Sequence, residues 1–178
     1  MYNKKSRVIF FYLIISIFVF NCAEKEKPDE NSRRQNAIHV INTDSLKNII
    51  SENKGEVIFI NIWATWCEPC VKEFPDVVRI FNEYKNKDVK FLSLSVDSES
   101  DIDSLVIPFL KKQNAKFPVY IVDEKSSESV INFLNPDWSG AIPVSIIYDK
   151  KGEQRKFLSG LQHYLELKNY VDSVRSLL

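Results

Sequence analysis

The segment "VIFINIW", from Val57 to Trp63, is a nearly unbroken apolar run rich in β-branched residues. A strand with one face in water would alternate apolar and polar residues, so this run predicts a central strand that is covered on both faces. Parallel sheets with helices on both sides bury their strands in this way. The run therefore favours an α/β fold.

Strand and helix signals alternate from Ala37 to the end of the chain. Further strands are predicted in five segments: "AIHVI", "VKFLSLSV", "FPVYIV", "PVSIIYD" and "EQRKFLSG". Such alternation indicates βαβ units and a mainly parallel sheet. The turn in "YDKKGEQ" adds an antiparallel hairpin near one edge. We therefore predict a central mixed, mostly parallel sheet flanked by helices.

Capping signals and apolar periodicity predict the helices between these strands. The first helix has Thr43 or Asp44 as its N-cap and ends before Gly55. The second carries one apolar stripe, made of Phe74, Val77, Val78 and Phe81. Later helices are predicted over residues 102–114 with an interruption near Pro108, in "SSESVINFL", and at the C-terminus, where the stripe is Leu167, Val171, Val174 and Leu178.

The first 22 residues have the organisation of an export signal. Three basic residues, Lys4, Lys5 and Arg7, precede thirteen uncharged residues, which are too few for a membrane span of about 20 residues. Cys22 follows directly. The segment resembles a bacterial lipobox, which implies that Cys22 is lipidated and becomes the mature N-terminus. An uncleaved anchor helix is the alternative, because Asn21 offers no small residue for cleavage. Both alternatives predict an extracytoplasmic protein that is tethered to a membrane.

Residues 23–36, "AEKEKPDENSRRQN", hold eight charged residues of fourteen and predict a flexible linker. Residues 37–178 form the predicted folded domain. Removal of the export signal takes away three of the 24 basic residues and none of the 24 acidic ones, which leaves a net charge near −3. That charge gives no electrostatic reason to bind nucleic acid. With four glycines and no GxGxxG motif or P-loop, the sequence does not indicate nucleotide chemistry either.

Cys67 and Cys70 form a C-x-x-C pair between the apolar strand and the second helix, in "NIWATWCEPCVKEFP". A disulfide between them closes a very small loop and constrains the unfolded chain little, so the pair indicates chemistry more than a structural cross-link. The pattern puts Cys67 at the end of the strand and Cys70 in the first turn of the helix. Free N–H groups and the helix dipole then favour a thiolate at Cys67, which is the nucleophile in thiol–disulfide exchange, with Cys70 as the resolving thiol.

The two residues between the cysteines affect the start of the helix and the pKa of Cys67. Pro69 fits the first turn of a helix, where its missing N–H is not needed. The Glu68 carboxylate disfavours a neighbouring thiolate. We therefore expect the pKa of Cys67 to lie only moderately below the usual value of about 8.5, which suits a reductant better than a strong oxidant.

The cysteine pair alone leaves other interpretations open. Zinc needs about four ligands, and the two histidines, His39 and His163, are isolated in the sequence. A dithiol can hold Cu(I) by itself, although Met1 is the only methionine and no thioether cluster assists. Two inert buried cysteines are a further alternative, although Trp63 and Trp66 are unusual neighbours for such a pair. We predict no metal site.

The segment "WATWCEPCVKEFP" resembles the active-site segment of the thioredoxin superfamily, and more narrowly that of the TlpA/ResA-type disulfide reductases, which are tethered to membranes of the bacterial envelope. The resemblance covers residues 37–178 and implies a thioredoxin-like fold. Pro75 matches the proline within the active-site helix of that family. In "GAIPVSIIYDKKG", Pro143 matches the cis-proline that faces the cysteines and, with Ile142 before it, helps to hold extended substrate chains. Gly160 matches the glycine after the last strand.

The resemblance also implies roles for two polar residues. Thioredoxin proper keeps a buried aspartate six residues before its first cysteine, and Asn61 stands there in this chain. In the ResA-like group, a glutamate three residues after the second cysteine handles the proton, and Glu73 matches it. A partly buried carboxyl would have a raised pKa and could exchange a proton with a thiol. The alternative is a solvated helix carboxylate.

The spacing between the motifs exceeds that of a bare thioredoxin core, because Pro143 comes 73 positions after Cys70. The surplus, around Ser100 to Leu134, resembles the strand-and-helix insertion of the TlpA-like group. Trp138 precedes the proline loop, and we expect it to pack under the loop in preference to lying on the substrate surface. Trp66, beside Cys67, is assigned to the substrate-binding residues.

The resemblance implies a protein-disulfide reductase with no cofactor beyond the Cys67–Cys70 pair. Its partners would be protein thiols or disulfides, including the haem-binding cysteines of apocytochromes c, and a membrane thiol transporter of the DsbD or CcdA type as electron donor. A thiol peroxidase is a second hypothesis, but peroxiredoxins carry a threonine where Ala64 stands. A copper metallochaperone is a third. All forms of the reductase hypothesis require that Cys67 reach solvent and lie near Cys70 and the Pro143 loop.

Overall fold

Strands and helices alternate along residues 37–177, the part of the chain that the computed structural model describes. The strands are β1 (Ile38–Ile41), β2 (Val57–Trp63), β3 (Val89–Ser95), β4 (Val119–Val122), β5 (Val144–Tyr148) and β6 (Gln154–Ser159). The helices are α1 (Thr43–Glu52), α2 (Glu68–Tyr84), α3 (Ile107–Lys112), α4 (Ser127–Leu134) and α5 (Tyr164–Arg175). The predicted export signal, the lipidation site Cys22 and the linker lie outside the described residues. Within residues 37–177, no helix is long and apolar enough to cross a membrane.

The six strands pair in the order β1-β4-β3-β2-β5-β6. β1, β4, β3 and β2 run parallel to one another, whereas β5 runs antiparallel to both β2 and β6. The turn between β5 and β6 contains Gly152 at φ +82°, a conformation that glycine adopts without strain. The predicted mixed, mostly parallel sheet with an antiparallel hairpin at one edge is confirmed.

Strand β2 lies inside the sheet, and all seven of its residues are buried. Because successive side chains of a strand point to opposite faces, Phe59 and Trp63 join the core that α2 and α5 cover. Ile58, Ile60 and Ile62 join the core that α1 and α4 cover. The unbroken apolar run is therefore explained by a strand with a hydrophobic core on each side.

Helix α2 packs on one face of the sheet through its predicted stripe. Phe74, Val77 and Val78 are buried, and Phe81 is partly buried against the same core. The ring of Phe74 meets that of Trp63 on β2 edge to face, with centroids 4.5 Å apart. This packing fixes the start of α2 at the carboxyl end of β2, which is where the cysteines lie.

The C-terminal helix also packs through its predicted stripe. Leu167, Val171 and Val174 of α5 are buried in the core that α2 shares, and Leu178 lies outside the described residues. The predicted insertion contains α3, β4 and α4. β4 occupies the place between β1 and β3 in the sheet, so the insertion is an integral part of the core.

Two predicted helix boundaries differ from the structure. The N-cap of α1 is Asn42, whose side-chain oxygen accepts a hydrogen bond from the Ser45 N–H at 2.9 Å, so both predicted caps, Thr43 and Asp44, lie inside the helix. The predicted helix over residues 102–114 is irregular near Pro108, as expected: a π-helical segment at Ile102–Val106 continues directly into α3. Pro108 itself lies in the first turn of α3, so the helix continues through it and ends at Lys112.

Candidate active site

Cys67 and Cys70 lie at the carboxyl end of β2, where the chain turns into α2. Cys67 is the N-cap residue of α2, and Cys70 lies in its first turn, as predicted. The two sulfurs form a disulfide bond, and the Cys70 N–H points at the Cys67 sulfur, 3.3 Å away. The free N–H groups at the start of a helix carry a partial positive charge. They therefore stabilise a thiolate at Cys67 Sγ once the disulfide is reduced.

The two cysteines differ in their access to solvent. Cys67 is 6% exposed and Cys70 is 1% exposed. Both residues are buried in the disulfide-bonded form, and both belong to the core beneath α2. Cys67 keeps the larger exposed fraction of the two, so the structure favours it as the residue that an incoming substrate meets first.

The loop before β5 lies directly against Cys67. The Ile142–Pro143 peptide bond is cis, as the resemblance implies. The carbonyl oxygen of Ile142 lies 3.7 Å from Cys67 Sγ. On the far side of the loop, the Gly160 N–H donates to the carbonyl oxygen of Pro143 at 2.9 Å, directly after the end of β6. The start of α2 and the proline loop thus meet at the Cys67 sulfur, and Gly160 is hydrogen-bonded to that loop.

The tryptophans on either side of this point differ in exposure. Trp66 is 66% exposed and presents its ring to solvent beside Cys67. Trp138 is only 9% exposed, and its indole N–H donates to the carbonyl oxygen of Ala141 at 2.8 Å. Trp138 therefore packs under the proline loop, which confirms the prediction for this residue.

Glu73 lies one turn after Cys70 on the inner face of α2, because residues three apart share a helix face. It is only 2% exposed, which excludes the alternative of a solvated carboxylate. Burial raises the pKa of Glu73 to about 7, and a hydrogen bond from the backbone of Gln162 partly opposes this shift. The Gln162 N–H donates to Oε2 at 3.4 Å. This shift brings the titration of the carboxyl into the neutral pH range.

Asn61 provides the other contact of Glu73. Its amide Nδ2 donates to Glu73 Oε1 and to the Ser145 hydroxyl, both at 3.3 Å. Its own oxygen, Oδ1, is buried and has no hydrogen-bond partner among the described residues. The sequence identified Asn61 only as a residue that cannot titrate. The structure shows that Asn61 is a hydrogen-bond donor to the buried carboxyl of Glu73.

Asp97 is a site residue that the sequence analysis did not identify. It is buried directly after β3, and its carboxylate accepts hydrogen bonds from the Thr65 N–H at 3.0 Å and the Thr65 hydroxyl at 2.6 Å. The Ser95 hydroxyl donates to it as well, at 2.6 Å. Asp97 therefore anchors the turn that carries Trp66 and Cys67. The sequence did contain a signal for Asp97, because it is an acidic residue at the end of a predicted strand. Parallel strands end at the same edge of a sheet, so such a residue lies near the end of β2.

Glu68 and Pro69 form the exposed part of the motif. Glu68 contacts Lys72 at 2.8 Å, and the hydrogen bond and charge of Lys72 lower the pKa of Glu68. Lys72 thus offsets part of the negative charge that Glu68 places beside Cys67. The predicted moderate lowering of the Cys67 pKa is a property of the reduced protein and stays a prediction.

The chain is similar to proteins of known type. A family model described as the AhpC/TSA family matches residues 34–156. A thiol-disulfide oxidoreductase ResA of Bacillus cereus is 29% identical over 180 residues, which cover 96% of this chain and 98% of that protein. A thiol:disulfide interchange protein of the thioredoxin family from Chlorobium tepidum TLS has a similar structure, with a TM-score of 0.59 and 24% identity over 70% of this chain and 83% of that one. StoA from Bacillus subtilis aligns with a TM-score of 0.52 and 24% identity, covering 66% of this chain and 83% of its own. These likenesses confirm the predicted thioredoxin-like fold.

Proposed function

We propose that this chain, which belongs to the AhpC/TSA family and is a ResA-like thiol-disulfide oxidoreductase, reduces protein disulfides in the cell envelope. The observation that carries the proposal is the position of Cys67. Its sulfur lies at the start of α2, is bonded to Cys70, and faces the carbonyl oxygen of Ile142 at 3.7 Å. A dithiol in which the helix N-cap residue, Cys67, is more exposed than its partner, Cys70, is suited to two-step thiol–disulfide exchange.

The reaction begins with the reduced pair. The Cys67 thiolate attacks one sulfur of a substrate disulfide, whose S–S bond breaks, and the other substrate sulfur leaves as a thiolate that takes up a proton. The Cys70 thiolate then attacks Cys67 Sγ and releases the second substrate thiol. Two electrons pass to the substrate, and the protein ends with the Cys67–Cys70 disulfide. The pair itself is the redox group, so we propose no further cofactor.

Glu73 is proposed to accept the Cys70 proton. Cys70 must become a thiolate before it can resolve the mixed disulfide, and it has little contact with water. Glu73 shares its helix face, and its pKa of about 7 lets it exchange a proton near neutral pH. The hydrogen bonds from Asn61 and Gln162 keep the carboxyl in place in its ionised form.

Trp66, Ile142 and Pro143 are proposed to bind the substrate chain. The exposed ring of Trp66 lies beside Cys67 in sequence, and Ile142 presents its carbonyl oxygen to the Cys67 sulfur. A peptide that places its cysteine on Cys67 must run between these groups. The proposal supported by the ResA likeness is that such peptides include the haem-binding segments of apocytochromes c.

The location and the electron donor are also proposals. The basic and apolar start of the sequence and Cys22 support an extracytoplasmic protein with a lipid anchor. A reductant in an oxidising compartment needs a supply of electrons, and we propose a membrane thiol transporter of the DsbD or CcdA type.

Trapping the mixed disulfide tests the proposed function. In a Cys70→Ser variant, the first step proceeds but the second cannot, so substrate proteins remain bound to Cys67. We expect disulfide-linked partners to be recovered from the native host, and to be released by dithiothreitol. The Cys67→Ser variant, which keeps the other cysteine, is the matched control and should recover none. Equal recovery by the two variants would contradict the assignment of the nucleophile.

Measurements on the purified protein separate the alternatives. We expect the wild type to reduce insulin disulfides at a rate that the Cys67→Ser variant loses. Turnover of hydrogen peroxide faster than that of insulin would support a thiol peroxidase. Tight binding of Cu(I) without insulin reduction would support a copper metallochaperone.

A further inference from the structure

An apolar pocket of about 150 Å³ lies at the carboxyl ends of β2, β3 and β4, under helix α4. Its walls include five buried side chains, none of which carries a charge: Ile62, Leu94, Val122, Val130 and Trp138. An apolar cavity of this size is large enough to hold a benzene-sized group. The pocket therefore fits one aliphatic or aromatic side chain.

The mouth of the pocket is formed by half-buried residues: Val96, Ser127, Ile131, Gly140 and Ile142. The indole N–H of Trp138 is already bonded to the carbonyl oxygen of Ala141, so the Ser127 hydroxyl is the remaining polar side-chain group among the described residues that line the pocket. A charged or strongly polar occupant would lose its water without gaining partners, which is unfavourable. The chemistry of the walls thus selects an apolar group that enters from solvent.

The pocket and the candidate active site share one residue, Ile142. This residue lines the pocket, and its carbonyl oxygen lies 3.7 Å from Cys67 Sγ. Successive residues of an extended chain advance by about 3.3 Å. A peptide whose cysteine lies on Cys67 would therefore bring a side chain one or two residues away to the mouth of the pocket.

The loop on one side of the pocket is held in place by a hydrogen bond. The indole N–H of Trp138 donates to the carbonyl oxygen of Ala141 at 2.8 Å. Gly140 has φ +84°, which favours glycine, and a Cβ atom here would lie 3.1 Å from Ile131 Cδ1. The pocket is present without a bound substrate, which reduces the entropy lost on binding.

We infer that this pocket is a specificity subsite that receives one apolar side chain of the substrate, within two residues of the cysteine under attack. The inference rests on the proposed function and adds the substrate class to it. The enzyme then prefers disulfides whose cysteine has a valine, leucine, methionine or phenylalanine nearby in sequence. Cysteines in purely polar surroundings are poorer substrates.

Peptide substrates test the inference on the full chain. Each peptide contains one cysteine, is dimerised through its disulfide, and carries leucine or serine at one of the two positions on either side of the cysteine. We expect kcat/KM to be about tenfold higher for leucine than for serine in at least one position, as is usual for one aliphatic group in a fitted pocket. Equal values at all four positions would overturn the subsite and leave the proposed function standing. If no peptide is reduced at all, the proposed function itself fails.

Substitutions in α4 test whether the preference for leucine arises in this pocket. Ser127→Phe places a ring at the mouth of the pocket and should bring the leucine-to-serine ratio close to one. The ratio is measured within one protein, so a general loss of activity cancels. Asn132→Phe adds the same ring on the exposed face of α4 and should keep the tenfold preference. Loss of the preference in Asn132→Phe, or its survival in Ser127→Phe, would contradict the assigned place.

A second variant shortens a side chain at the mouth of the pocket. Ile131→Ala widens the pocket and should move the preference from leucine towards tryptophan in the same peptides. This variant keeps the inference testable if Ser127→Phe does not fold. An unchanged order of preference in Ile131→Ala would count against the pocket as the binding site.

Discussion

The carboxyl of Glu73 is enclosed in the folded protein and surrounded by water in the unfolded chain. Burial is the main cause that raises its pKa from 4.5 to about 7 in the folded state. Between these two values the folded protein holds a proton that the unfolded chain has already lost. The free energy of unfolding therefore falls as pH rises through this window, and the fall is complete somewhat above pH 7.

Replacement of Glu73 by glutamine should remove that fall. Between pH 5 and pH 8, the free energy of unfolding of the wild type should decrease by about 2 kcal/mol more than that of Glu73→Gln. Urea denaturation of the oxidised proteins at both pH values measures the difference. Glu68→Gln is the control, because Glu68 is exposed, and it should follow the wild type. Parallel curves for Glu73→Gln and the wild type would show that Glu73 does not titrate in this range.

Asp97 is the second residue whose burial leads to a prediction. Replacement by alanine leaves the N–H and hydroxyl of Thr65 and the hydroxyl of Ser95 without their acceptor. We expect Asp97→Ala to lower the free energy of unfolding by about 2–4 kcal/mol. We also expect kcat/KM for disulfide reduction to fall roughly tenfold or more, because the turn before Cys67 is no longer held in place.

The control for Asp97 is a change that removes one of these bonds. Thr65→Val keeps the N–H bond and the shape of the side chain, so it should lower the free energy of unfolding by only about 1 kcal/mol. A larger loss in Thr65→Val than in Asp97→Ala would show that the carboxylate is not the anchor of this turn.

At the scale of single elements, the periodicity of apolar residues predicted the strands and helices whose buried faces form the core. The continuous apolar run gave β2, and the i, i+3, i+4, i+7 stripe gave α2, since each pattern matches the faces that the element buries. Helix starts were less predictable. Asn42, Thr43 and Asp44 follow one another, and all three are residues that cap helices well. Only the backbone conformation decides which side chain points at the free N–H groups.

The cap of α1 can be tested by comparing two of these residues. Asn42→Ala removes the acceptor of the Ser45 N–H and should lower the free energy of unfolding by about 1 kcal/mol. Asp44 is exposed in the first turn of the helix, so Asp44→Ala should have a smaller effect, about 0.3 kcal/mol through the helix dipole. Thermal denaturation of both variants measures the order. The reverse order would mean that the helix begins at Asp44 in solution.

At the scale of the whole molecule, the site combines a local motif with distant residues. Cys67, Cys70 and Glu73 lie within one stretch of the chain. The spacing of the cysteines predicted the redox pair, and the resemblance to the ResA-like group supplied Glu73. The contacts of Gln162 with Glu73 and of Asp97 with Thr65 join residues that are 89 and 32 positions apart. No local pattern encodes such contacts, because they depend on the order of the strands and on where α5 returns across the sheet.

Helix α5 is held against α2 by a buried hydroxyl. Tyr84 on α2 donates to Asp172 Oδ1 on α5 at 2.6 Å, and Lys168 also contacts Asp172. Burial and this hydrogen bond raise the pKa of Tyr84 to about 12, so its phenol stays protonated and acts as a donor. This contact also affects the active site. Helix α5 begins two residues after Gln162, whose N–H donates to the Glu73 carboxyl.

Tyr84→Phe should therefore weaken the link between the end of the chain and the active-site helix. We expect a loss of about 1 kcal/mol in the free energy of unfolding, since the ring stays and only the hydrogen bond is removed. Asp172→Asn and the double variant complete a cycle that separates this bond from the ion pair of Asp172 with Lys168. If the two single effects add without coupling, the hydroxyl does not hold α5. The position of Gln162 then depends on the other contacts of α5, which include the apolar stripe of Leu167, Val171 and Val174.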